Sequence, residues 1–96
     1  MIKDFRDRTT GDIFDGYDTK AARKIPKSIW GVASRKLDLL NAAQNINDLR
    51  IPPGNRLELL KGRLAGFHSI RINDQFRIVF QWSETSPHNV FITDYH

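Results

Sequence analysis

The sequence predicts an α+β fold in which two N-terminal helices cover one face of a mainly antiparallel sheet built by the C-terminal half. Three observations predict it. Apolar residues recur every three or four positions between Trp30 and Ala43, whereas from Arg56 onward they alternate with polar ones. The cluster Pro52-Pro53-Gly54-Asn55 separates the two regimes, and such a cluster ends regular structure. Because both helices precede the strands, the simplest packing lays them on the sheet's apolar face and leaves the other face open.

Each element follows from local chemistry. Met1 to Phe5 reads as a short edge strand blunted by Lys3 and Asp4. Thr9-Thr10-Gly11-Asp12 offers helix N-cap chemistry, with Ile13, Phe14 and Tyr17 as the buried side of one or two turns, and Gly16 keeps that helix short. The connector TKAARKIPK carries Lys20, Arg23, Lys24 and Lys27. It reads either as a solvated link or as an electrostatic footprint for RNA phosphates or an acidic partner.

Pro26 suits the first turn of a helix, where its missing N–H is not needed. Trp30, Ala33, Leu37, Leu40 and Ala43 then form a buried stripe, with Arg35, Lys36 and Asp38 outside, to about Gln44. Residues Asn45 to Asn55 read as a connector that Ile46 and Leu49 anchor.

Four strands follow. Leu57 and Leu59 share a face opposite Arg56 and Glu58; Ile70 and Ile72 lie opposite Phe67, Ser69 and Arg71. Phe76, Ile78, Phe80 and Trp82 oppose Arg77, Val79 and Gln81, and Val90 and Ile92 oppose Phe91, Thr93 and Tyr95. Asn73-Asp74-Gln75 is short enough to close a hairpin, and Glu84 to Asn89 closes a looser one. One sheet face is therefore aliphatic and aromatic, and both tryptophans belong to the apolar stripes. The open face carries Arg56, Glu58, Arg71, Arg77 and Tyr95, which makes it the candidate site.

Composition narrows the classes. With 96 residues, 40% hydrophobic and 27% charged, residues 1–96 form one globular domain. No apolar run approaches the roughly 18 residues of a membrane span, and MIKDFRDR does not read as a signal peptide. The absence of cysteine excludes a disulfide framework or thiolate metal site and fits a cytoplasmic location. A net charge of +4 and a pI near 9.8 favour an anionic partner, either nucleic acid or an acidic protein.

Neither a Gly-rich phosphate loop nor a nucleophile elbow occurs. His68, His88 and His96 lack metal-ligand spacing; parity sends His68 to the apolar face as a core or boundary residue, and His88 reads as an exposed turn residue. The segment Asp94-Tyr95-His96 differs. RNA cleavage needs a group to take the 2′-hydroxyl proton, one to protonate the leaving 5′-oxygen, and cations around the phosphorane-like charge. Asp94, Tyr95 and His96 offer the first two, and Lys61, Arg71 and Arg77 the third. The competing reading is a solvated tail.

These residues carry a resemblance. RLELLKG, GFHSIRINDQFRIVF and the final DYH, together with MIKDF, SIWGVASRKLDLLNAA and DLRIPPGNRLE, resemble the HigB toxins of bacterial toxin–antitoxin modules, in the RelE/ParE superfamily. The resemblance implies a microbial RNase-like, RelE-like fold with helices on one side of a curved sheet and the site on the concave side. It implies cleavage of mRNA in the ribosomal A site, without cofactor or metal, leaving a 2′,3′-cyclic phosphate and a 5′-hydroxyl. Lys61, Arg77, Asp94, Tyr95 and His96 match positions linked to that activity, with Arg56, Glu58 and Arg71 beside them as substrate contacts. Glu58 stands where some members carry a catalytic histidine, and Arg63-Leu64 stands where Asp-Arg is common.

The implied partners are a HigA-type helix-turn-helix antitoxin, the 70S ribosome with its mRNA, and operator DNA through the antitoxin only. Two other functions fit the same fold. A ParE-like inhibitor of DNA gyrase would have no use for DYH beside Lys61 and Arg77. A non-catalytic RNA-binding module would want more stacking rings than Phe67, Phe91 and Tyr95.

Overall fold

The strand β3 (Phe76–Ser83) is the axis of the computed structural model, which describes residues 1–94. It pairs on one side with β2 (His68–Arg71) and on the other with β4 (Ser86–Asp94), and β1 (Glu58–Leu59) lies beyond β2. The order β1-β2-β3-β4 is antiparallel throughout. Helices α1 (Arg8–Asp15) and α2 (Trp30–Ala42) pack on each other; α1 meets β4, and α2 meets β3 and β4. Among the described residues no helix is long and apolar enough to cross a membrane.

The expected stripe builds the core. Ala33, Leu37, Leu40 and Ala43 are buried with Ile70, Ile78, Phe80, Val90 and Ile92, and Trp30 and Trp82 pack half-buried against them. Each indole N–H is satisfied by a backbone carbonyl, Trp30 by Ile25 at 2.8 Å and Trp82 by Glu84 at 3.1 Å. That arrangement suits a large ring with a polar edge.

Several local expectations are corrected. Helix α1 begins one turn earlier than expected, capped by Asp7, whose carboxylate accepts from Thr10 N at 2.8 Å. Thr10 is instead buried, and its hydroxyl accepts the Ile92 N–H at 2.9 Å. Tyr17, expected inside, is exposed because Gly16 turns left-handed (φ 80°) and ends the helix before it. Pro26 precedes a 3-10 turn (Lys27–Ile29) that leads into α2.

The basic connector behaves chiefly as a link. Asp18 pairs with Lys27 at 2.6 Å and Arg23 at 2.9 Å, and these two hydrogen bonds, Lys27 first, hold its carboxyl below the ordinary value. Lys20 and Lys24 stay exposed. The connector after α2 holds 3-10 turns at Ile46–Arg50 and Pro53–Asn55. Fully buried Asn55 pins it there, donating to the Leu49 and Ile51 carbonyls at 3.1 and 3.3 Å and accepting from Lys36.

The N-terminal segment runs parallel to β4 along its outer edge, with one bridge at Phe5 and Val90. Its partners are Lys3 N to Pro87 O, Val90 N to Asp4 O and Arg6 N to Val90 O. With Thr10, these occupy an edge that would otherwise recruit other chains.

A bulge bends β4. Val79 pairs with Phe91, but Gln81 pairs with His88, so β4 contains one extra residue there, with Asn89 at φ 52°. Bulges increase local twist and reset the alternation. Pro87 therefore joins Trp82 on the core face, and His88 is half-buried beside Gln81 rather than exposed in a turn. The hairpin is tighter than expected, since Ser83 pairs with Ser86 around Glu84-Thr85.

Candidate active site

The open face begins with Arg77, and Arg77 is not exposed. It is 8% accessible, and among the described residues Ser69, Arg56 and Glu58 are aimed at its guanidinium. Its Nε donates to Ser69 Oγ at 2.7 Å, and its Nη2 donates to the Arg56 carbonyl at 2.6 Å. Glu58 Oε1 lies 4.0 Å away. Ser69 and Glu58 face one another across β1 and β2, so one arginine on β3 ties three strands together.

The Arg56 carbonyl reaches Arg77 because of backbone conformation. Arg56 is left-handed (φ 45°, ψ 58°) after the Pro53–Asn55 turn, an unusual state for a side chain with a Cβ. Asn55 below it anchors that turn. The sequence assigned Arg56 to the site as a cation, whereas its backbone acceptor is what touches Arg77. Ser69 and Asn55 are the residues that sequence reasoning missed. Alternation did put Ser69 on the open face, but nothing in the sequence marked it as the support for Arg77.

The remaining site residues are placed as follows. Lys61 is exposed and extended, at the start of the 3-10 turn Gly62–Leu64. Arg71 lies opposite Arg77 in the β2–β3 register but pairs with Asp74 of its own hairpin. Asp94 is exposed at the end of β4 and accepts from Gln75 Nε2 at 2.9 Å. Its register partner is Phe76, so Asp94 stands at the rim, on the opposite side of the sheet from Arg77. Tyr95 and His96 lie outside the described residues.

His68 is set apart from this site. It pairs with Phe80 on the helix-covered side and stacks on that ring at 6.0 Å. Its Nδ1 is buried without a partner among the described residues, and burial lowers its pKa below the ordinary 6.5. A neutral boundary histidine results, as parity predicts.

The open face divides in two. Its Arg77 end is polar, and its other end is apolar: Val79 is fully buried and Leu60 is 4% exposed, whereas Leu59, expected on the covered face, is 63% exposed on the edge strand β1. Leu60 is on this side because it lies two residues beyond Glu58, and its N–H pairs with Phe67 O. Phe67 and Phe91 meet edge to face at 6.2 Å, and the Arg6 guanidinium lies 4.6 Å from the centre of the Phe91 ring. Burial of Val79 thus comes from a second, smaller cluster on the open face.

Chemically, a desolvated guanidinium held by fixed acceptors is a preorganised cation, and preorganisation is what makes such a group effective toward developing negative charge. The fold carrying it is that of a RelE-like toxin. A chain of the YoeB–YefM complex from Staphylococcus aureus matches all of this chain and 95% of its own length, with a TM-score of 0.59 at 18% identity. A second structure, the heterotetrameric YoeB–YefM toxin–antitoxin complex from the same organism, matches equally.

Sequence comparison is more specific. The family model for the RelE-like toxin of the type II toxin–antitoxin system HigB matches residues 3–96. Toxin HigB-1 of Vibrio cholerae serotype O1 is 45% identical over 92 residues, covering 96% of this chain and 95% of that protein. An uncharacterized protein of Haemophilus influenzae is 39% identical over 88 residues, or 92% and 85% of the two chains. This chain belongs to the HigB-like toxin family, and it is a toxin of a type II toxin–antitoxin system.

Proposed function

We propose that this toxin is a ribosome-dependent, metal-independent mRNA endoribonuclease that stops translation in the cytoplasm until a HigA-type antitoxin masks it. The observation that carries the reading is Arg77, a buried cation braced by Ser69 Oγ and the Arg56 carbonyl on the open face of the sheet. A surface meant only for binding does not need a guanidinium fixed this tightly.

The reaction runs in line. A base takes the proton from the 2′-hydroxyl, the 2′-oxygen attacks phosphorus, and the bond to the 5′-oxygen breaks. An acid protonates that oxygen, so the products are a 2′,3′-cyclic phosphate and a 5′-hydroxyl. Arg77 and Lys61 balance the charge on the phosphorane-like transition state. Tyr95 and His96 supply the proton transfers, with Glu58 beside Arg77 and Asp94 at the rim as further carboxylates. Imidazole titrates near neutral pH, and acid–base catalysis contributes on the order of 10² to 10⁴ in rate.

The ribosome's part is to splay and align the scissile bond, which a small site cannot do alone. The antitoxin, a helix-turn-helix protein, carries the toxin to operator DNA. The test is to map mRNA 5′ ends after brief induction. New 5′-hydroxyl ends within translated codons are expected from the wild type, and their loss from a chain lacking His96. Equal cleavage by the deletion variant would move the acid–base role to Tyr95 or Glu58.

A further inference from the structure

The apolar half of the open face ends in a cavity that the cleavage reaction does not use. Its volume is about 550 Å³, and Arg6, Arg63, Leu64, Phe67 and Asn89 line it. Two features show that it is more than a fold in the surface. Its floor is fixed: Phe67 is held edge-on against Phe91, and Asn89, at the bulge, donates to Gln81 Oε1 at 2.6 Å and from its backbone N–H to Asp4 Oδ1 at 2.5 Å. Its rim carries two guanidiniums. Among the described residues neither Arg6 nor Arg63 forms an ion pair, in contrast to Arg23, Arg71 and Arg77.

We propose that this cavity is a nucleotide subsite, which seats one base of the RNA against Phe67 and Leu64 while Arg6 and Arg63 take its phosphate. The inference rests on the nuclease reading of the same face and adds where a flanking nucleotide is held. Aromatic rings beside cations are how proteins hold unpaired nucleotides, since every base has a π-face and every nucleotide a phosphate. The volume is within the range of small-ligand pockets. The Asn89 amide at the wall offers an edge-reading group, so the subsite sets which nucleotides the toxin prefers near the cut. Arg6 is already stacked on Phe91, and a guanidinium plane is itself a platform on which a base can lie.

The test has two arms. In the first, the purified toxin is titrated with each nucleoside 5′-monophosphate, with ribose 5-phosphate, with inorganic phosphate and with hexaglutamate, and backbone amides are followed by NMR. Nucleotides are expected to shift Leu64, Phe67 and Asn89 and to bind at least about tenfold more tightly than ribose 5-phosphate. Arg63→Ala and Phe67→Leu are each expected to weaken nucleotide binding by about tenfold or more, with unchanged amide spectra elsewhere as the folding control.

In the second arm, cleavage positions on ribosome-bound mRNA are mapped for the same variants. An altered distribution of cut sites is expected. Equal binding of ribose 5-phosphate or phosphate, or perturbation of the cavity by hexaglutamate alone, would overturn the subsite, the latter in favour of an acidic protein partner. An unchanged cut-site distribution would overturn it too. Nucleotide binding by a toxin that cleaves nothing would support the subsite and count against the nuclease reading alone.

Discussion

The two faces of this sheet are made from the same alternating strands, yet they bury their residues for different reasons. The helix-covered face is a continuous apolar layer, in which Ile70, Ile78, Phe80 and Val90 are each 0% exposed. The open face has no helix over it, and still buries Arg77, Ser69 and Val79. It does so with hydrogen bonds at one end and a small aromatic cluster at the other. Burial on the first face is about area. On the second, it is about holding a charge in one position.

That contrast sets the order of the expected effects on stability. The largest belongs to the covered face. Phe80→Ala removes a fully buried ring and is expected to cost about 3–5 kcal/mol, enough to unfold a domain of ordinary stability. Urea denaturation measures it. Trp82→Ala is expected to cost less, because Trp82 is only half-buried; an equal loss would show that the far end of β3 is as much core as its middle.

Next comes Arg77→Ala on the open face. Because Arg77 is buried, this substitution is not neutral for folding. Ser69 Oγ and the Arg56 carbonyl would lose their donor, and an orphaned buried acceptor costs about 1–3 kcal/mol. Cleavage is expected to fall further than stability explains, by about 2.7–4 kcal/mol of transition-state stabilisation on the analogy of oxyanion donors. Rates measured well below the melting temperature separate the two. A folded Arg77→Ala protein that cleaved at the wild-type rate would remove this residue from the mechanism.

His68 sharpens the boundary between the faces. Its pKa is lowered by burial, so the unfolded chain binds this proton at higher pH than the folded one. Stability is therefore expected to decline as pH falls through the ordinary value near 6.5 and to level off below the folded value. Denaturation midpoints from pH 7.5 downward, for the wild type and His68→Phe, read this directly. The variant should lose its share of the slope, and an unchanged slope would show that His68 is solvated.

Much of this was legible in the sequence. Helical spacing from Trp30 to Ala43 and alternation in β2 and β3 assign both layers, because side-chain direction follows backbone period. The candidate face was legible for the same reason. What alternation cannot see is a change of phase. The bulge at Asn89 moves His88 onto the open face, and alternation likewise does not show that Leu59, on the edge strand β1, is left 63% exposed. Nor can it see what an arginine touches. That Arg77 is buried depends on Ser69, eight residues earlier, and on a carbonyl aimed by the left-handed Arg56. Such contacts are set by tertiary geometry, not by residue type.

The smallest expected effect on folding gives the most direct test of the nuclease assignment. Lys61 is exposed at the start of a loop, so Lys61→Ala should change stability by no more than about 0.5 kcal/mol. If the open face cleaves mRNA, the same substitution removes a transition-state cation. The measurement is cleavage of mRNA on programmed ribosomes by the wild type and Lys61→Ala, with DNA supercoiling by gyrase assayed in parallel. The expected result is rapid cleavage by the wild type, at least a hundredfold slower cleavage (about 2.7 kcal/mol) by a variant that melts normally, and unaffected gyrase. Intact mRNA with the wild-type toxin, together with inhibited supercoiling, would contradict it.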